Sequence, residues 1–163
     1  MITRNKLETI ELVLDCWPAA PSHLIEVLQD IQQAQGYLSE EAMRTVSSRL
    51  GVPQIEVYRV ASFYKAFSLT PRGRHLITVC LGTACHVRGA PRMLDEVLGQ
   101  LRVRPGETTP DGLFTVECVN CLGACALGPV VVLDGAYHHH MTPAKLRHLI
   151  GSVQQAEREV AHA

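Results

Sequence analysis

Apolar residues fall at Leu24, Leu28 and Ile31, with Ile25 and Val27 beside them, and the run stops at Gly36. That spacing is one face of an amphipathic helix, and the glycine is its C-cap. A second helical face runs through Met43, Val46 and Leu50 to Gly51; Ser39 is placed as its N-cap, and Leu38 and Met43 as a hydrophobic staple. Pro53 suits the first turn of a further helix in "PQIEVYRVASFYKAF", and an earlier helix is expected over residues 4 to 15, before Trp17-Pro18. These elements predict a small helical bundle.

The pattern changes after "TPRGR", Thr70 to Arg74, where "HLITVCLG" gives a short β-branched run suited to a buried strand. Pro91 opens a helix with apolar positions Leu94, Val97, Leu98 and Leu101, the turn-rich "RPGETTPDG" makes a loop, and "LFTVEC" is a second strand. Strand, helix and strand in that order favour a parallel, right-handed crossover. Asp134-Gly135 is a two-residue turn signal inside "VVVLDGAYHH", which reads as a hairpin. Thr142 caps a last helix with Pro143 in its first turn and Leu146, Leu149, Ile150 and Val153 on one face. The fold class expected is α/β: an N-terminal helical bundle over residues 1–72, then a βαβ-hairpin-α domain over 73–158 that is thioredoxin-like in element order, and a tail at 159–163.

With 163 residues, 47% of them hydrophobic, the chain can bury a real core. Its net charge of −1 offers no electrostatic footprint for nucleic acid or an anionic membrane. No stretch approaches the roughly 20 apolar residues of a membrane span, and the N-terminus does not read as a signal peptide. The expectation is a soluble cytoplasmic protein. No G-x-G-x-x-G fingerprint or P-loop is present, so a nicotinamide nucleotide would have to be bound by another chain.

Of the six cysteines, Cys16 stands alone, while Cys80, Cys85, Cys118, Cys121 and Cys125 form two tight groups. Cys80 and Cys85 make C-x4-C at the end of the first strand, and Cys121 and Cys125 make C-x3-C just after the second. In parallel strands both loops open at the same end of the sheet, so they can face one another. A [2Fe–2S] rhomb needs two thiolates on each iron, which two such loops supply. The glycines of "LGTAC" and "LGACALG" permit close backbone approach and free N–H groups toward the sulfurs. Structural zinc also accepts such pairs. Cys118 and Cys121 are spaced as a thioredoxin-type C-x-x-C, although Gly123 and Pro129 argue for a loop where that motif needs a helix.

Together "VCLGTACHVRGA" and "VNCLGACALGPVVVLDG", with "LQDIQQAQGYLSEEA" and "GVPQIEVYRVASFYKAF" upstream, resemble the 24 kDa subunit family of NADH:quinone oxidoreductase, the thioredoxin-like [2Fe–2S] ferredoxins. Related subunits serve NAD-linked hydrogenases, electron-bifurcating complexes and formate dehydrogenases. The resemblance implies ligands at Cys80, Cys85, Cys121 and Cys125, with Cys118 outside the set and Gly128 where alanine is frequent. It further implies an electron-transfer subunit that is no catalyst alone, carrying one [2Fe–2S] cluster. Its partner would be a flavoprotein subunit with FMN and an NAD(H) site, alongside further iron–sulfur subunits. His86 follows a ligand and reads as a loop contact. His138, His139 and His140 read as an exposed hairpin edge, Cys16 as a small buried residue, and Phe63, Tyr64 and Phe67 as packing in or beside the bundle.

Overall fold

The computed structural model describes residues 2–161. The chain divides into two compact units, meeting in sequence at Arg72 and Gly73.

In the first unit, α1 (Ile2–Asp15), α2 (Leu24–Gln35), α3 (Glu40–Leu50) and α4 (Gln54–Phe63) turn their apolar faces onto one core. Ile10, Leu14, Val27, Leu28, Ile31, Val46 and Val57 meet there, and Leu38 and Met43 are buried with them. The Ser39 hydroxyl accepts the Ala42 N–H at 3.1 Å and caps α3. Gly36 and Gly51 end α2 and α3 with φ of +80° and +66°, the left-handed conformation that glycine adopts without Cβ strain. Pro53 sits one residue before α4, where it needs no N–H.

Two expectations for this unit are corrected. Cys16 is exposed, because it lies one residue beyond α1, its Sγ reaching back to the Leu12 carbonyl at 3.3 Å. Phe67 is buried in the core, but Phe63 is 79% exposed at the end of α4 and Tyr64 is also exposed; the two rings meet edge to face, 5.0 Å between centroids.

The second unit contains β1 (His75–Cys80), α5 (Thr83–Val87), α6 (Ala90–Leu101), β2 (Phe114–Val119), β3 (Val131–Leu133), β4 (Ala136–His138) and α7 (Pro143–Ala161). The sheet order is β2-β1-β3-β4. β1 and β2 are parallel, in a register that sets Cys80 opposite Val119, and β3 returns antiparallel to β1. β3 and β4 form the expected hairpin, with Asp134 and Gly135 both at positive φ (50° and 82°) as a two-residue turn requires. Val97 and Leu101 of α6 and Leu146 and Ile150 of α7 pack with Ile77, Phe114, Val116 and Val131. An Arg147–Glu96 ion pair at 2.8 Å links the two helices at the surface.

Three local differences from the sequence reading have simple causes. The five-residue helix α5 is too short to show a period. Gly89, at φ +97°, lets α6 begin at Ala90, one residue before Pro91. Residues 159–161, expected in a tail, are the last turn of α7; the rest of that tail lies outside the described residues. His138 is half-buried on β4, and His139 and His140 are exposed.

Candidate metal centre

The site lies where β1 and β2 end side by side. Cys80 is the last residue of β1; beyond it the Leu81 N–H donates to the Val119 carbonyl at 2.8 Å, which carries the pairing one step past the strand. The chain then turns at Gly82 and passes against the other cysteine loop. A Cβ on Gly82 would stand 2.4 Å from the Asn120 carbonyl oxygen and 3.3 Å from the Cys121 Cα. Only glycine allows this approach, so it brings the two loops together.

Cys85 follows on α5 and is buried, as is Cys80, in a small apolar cluster with Ala90, Val130 and Val132. Gly128 closes over it: a Cβ there would lie 3.0 Å from the Cys85 Sγ. Cys121 and Cys125 are exposed on the loop after β2, their sulfurs 3.8 Å apart. Gly123, at φ +78°, aims its N–H at the Cys121 Sγ at 3.3 Å, the kind of donor that steadies a charged sulfur.

The thiols perturb one another across the two loops. Burial pushes the Cys85 thiol up, and so do a hydrogen bond with Cys80 and the proximity of Cys80 and Cys125. The Cys125 thiol is raised first by its hydrogen bond with Cys121, then by the charge Cys121 would carry, with Cys80 adding a smaller effect. Raised thiols at Cys85 and Cys125, each beside another cysteine, suit a cationic centre, which deprotonates coordinating sulfur outright. Among the described residues no three His, Cys, Asp or Glu side chains converge as one ion would require. Two cysteine pairs are brought together, and two pairs fit a two-iron rhomb.

Cys118 is half-buried within β2, opposite Val79. The residues after Cys121 form no α-helix, only a 3-10 turn at Cys125–Leu127, so the dipole that activates a thioredoxin-type pair is missing. His86 is exposed on α5. Arg88 was not singled out by the sequence; its guanidinium donates to the Cys125 and Ala126 carbonyls at 2.9 and 3.0 Å. One arginine in "CHVRGA" carries no spacing signal that could have exposed this contact.

Two parallel strand ends that present paired cysteines define an iron–sulfur protein built on a thioredoxin-like scaffold. Residues 10–154 match the thioredoxin-like [2Fe-2S] ferredoxin family, and the chain belongs to it. Its cofactor is a [2Fe–2S] cluster. The chain is 36% identical to the NADP-reducing hydrogenase subunit HndA of Solidesulfovibrio fructosivorans, covering 84% of this chain and 80% of that one. It is also 35% identical to NADH-quinone oxidoreductase subunit 2 of Thermus thermophilus, over 83% of this chain and 75% of the relative. Among solved structures, a NAD+-reducing [NiFe]-hydrogenase in its air-oxidized state superposes with a TM-score of 0.72 at 25% identity. That match covers 82% of this chain and 23% of the hydrogenase chain. No helix among the described residues is long and apolar enough to cross a membrane.

Proposed function

We propose that Cys80, Cys85, Cys121 and Cys125 hold the [2Fe–2S] cluster, two thiolates to each iron, and that the chain carries single electrons within an NAD(P)H-linked multisubunit oxidoreductase. The cluster supplies one-electron chemistry when bound. The chain's own residues do the rest: Gly82 sets the separation of the two loops, Gly128 covers Cys85, and the Gly123 N–H offsets charge on Cys121. Cys80 and Cys85 lie dry while Cys121 and Cys125 face solvent, so a bound cluster would have its accessible side at Cys121 and Cys125. The observation that carries this reading is the approach of the two cysteine loops at Gly82, too close for any side chain.

The exchange partner in this reading is a flavoprotein subunit whose FMN accepts hydride and passes electrons singly, with further iron–sulfur subunits beyond it. Relatives named as subunits of a NADH-quinone oxidoreductase and of a NADP-reducing hydrogenase support it. Ile55, Tyr58, Phe63 and Tyr64, exposed on and after α4, give the first unit an apolar surface for docking on that subunit. Six cysteines with no disulfide among them suit a reducing cytoplasm.

The test is anaerobic purification followed by iron and sulfide analysis, absorption and EPR. About two irons and two acid-labile sulfides per chain, with a chromophore bleached by dithionite and a rhombic EPR signal after one-electron reduction, are expected. Zinc in place of iron, or a chain without chromophore after reconstitution with iron and sulfide, would refute the reading.

A further inference from the structure

Arg88 closes α5 three residues after Cys85, and its Nη1 crosses to the other loop, donating to the carbonyls of Cys125 at 2.9 Å and Ala126 at 3.0 Å. Both carbonyls belong to the short turn that carries Cys125, whose internal bond from the Gly128 N–H to the Cys125 oxygen is long at 3.4 Å. The two cysteine pairs are held unequally. Cys80 and Cys85 are packed among apolar side chains, whereas Cys121 and Cys125 are exposed, with Leu122 and Ala124 of their loop packed against that cluster. A charge-assisted donor to two adjacent carbonyls adds a tie between the two loops at the turn of Cys125.

We propose that Arg88 is a positioning residue for the cluster, tying the turn of Cys125 to the helix of Cys85, and that its charge raises the cluster's reduction potential. This rests on the ligand set proposed above. Reduction places one further electron on a centre already made negative by four thiolates, and a neighbouring cation stabilises the more negative state. Removing the cation lowers the potential. Because Arg88 is exposed, solvent and salt screen part of the effect, so the shift is larger at low ionic strength.

The experiment compares the full chain with Arg88→Ala and Arg88→Lys, all purified anaerobically. Two quantities are read: the midpoint potential, by EPR-monitored redox titration, and the rate of cluster loss to a ferrous chelator, by absorbance. Arg88→Ala should titrate at lower potential and lose its cluster about fivefold faster, while Arg88→Lys, which keeps charge and donor, stays near the wild-type potential. An Arg88→Ala protein unchanged in either quantity overturns the proposal, as does a lysine variant shifted as far as the alanine one. Should Arg88→Ala purify without a cluster, a lysine variant that holds one at wild-type potential supports the proposal, and one that does not refutes it. Failure of the ligand assignment has a separate signature: Cys125→Ala would keep its full iron content, whatever Arg88 does.

Discussion

A single methyl group tests the closest approach in the site. In Gly82→Ala the new carbon would meet the Asn120 carbonyl at 2.4 Å, a backbone atom with no rotamer to yield, so the two cysteine loops must separate. We predict that Gly82→Ala folds with unchanged helical circular dichroism but retains less than about half the wild-type iron; full iron and an unaltered EPR signal would show the approach to be dispensable. Cys118→Ala makes the opposite prediction. It trims a half-buried strand side chain, at about 1 kcal/mol, and should keep the cluster, whereas Cys121→Ala and Cys125→Ala should lose most of it. A colourless yet folded Cys118→Ala protein would reverse the assignment. At this scale the two cysteine pairs were legible as candidates, because C-x4-C and C-x3-C fall at strand ends in the sequence, while the choice of all four as ligands came from the family resemblance. Arg88 was not, because its role depends on where a distant turn places two carbonyls, and no local spacing encodes that.

Elements were legible where a period or a cap marked them. Ser39 reads as an N-cap in sequence and caps α3 in fact, so Ser39→Ala should cost about 1 kcal/mol in denaturant unfolding. The short helix α5 and the last turn of α7 escaped because five residues show no period and polar "EREVA" carries no stop signal. The loop before β2 holds a carboxylate that sequence alone did not single out. Asp111 accepts hydrogen bonds from the Thr109 hydroxyl and the Leu113 N–H, and these, the hydroxyl first, hold its carboxyl below the ordinary value of 3.8. A lowered folded-state value means that the ionised form favours folding: the contribution is fully present above 3.8 and is lost as pH falls through the folded value. Because Asp111 is exposed, the effect is modest. Wild type should therefore exceed Asp111→Asn in stability at about pH 6, with the difference shrinking toward about pH 2. A difference in urea midpoint that stays constant over that range would exclude this linkage.

Among the described residues, each unit buries apolar side chains of its own. One core runs from Ile10 to Phe67, within the first unit, and two clusters lie between Ile77 and Ile150, within the second. The change from helical period to β-branched run near "TPRGR" marks in sequence the place where these cores part. All four cysteines of the candidate centre, with Gly82, Arg88 and Gly128, belong to the second unit, and so does every strand of the sheet that positions them. Burial of its own core is the main term that folds a domain, so the second unit contains what it needs to fold and to present the cysteine loops. We therefore expect residues 73–163, expressed alone, to unfold cooperatively and to show the dithionite-bleachable absorption and reduced EPR signal of the full chain. The first unit contributes no cysteine to the site, and its exposed α4 surface is the part assigned to docking. The shortened chain should accordingly fail to co-purify with the flavoprotein subunit that the full chain captures. Two measurements separate the roles: iron per chain for the second unit, and retention of the partner for the first. A truncated chain that holds its cluster and still retains the partner at full strength would remove the docking role from the helical unit. One that loses both colour and fold would show that the second core depends on the first.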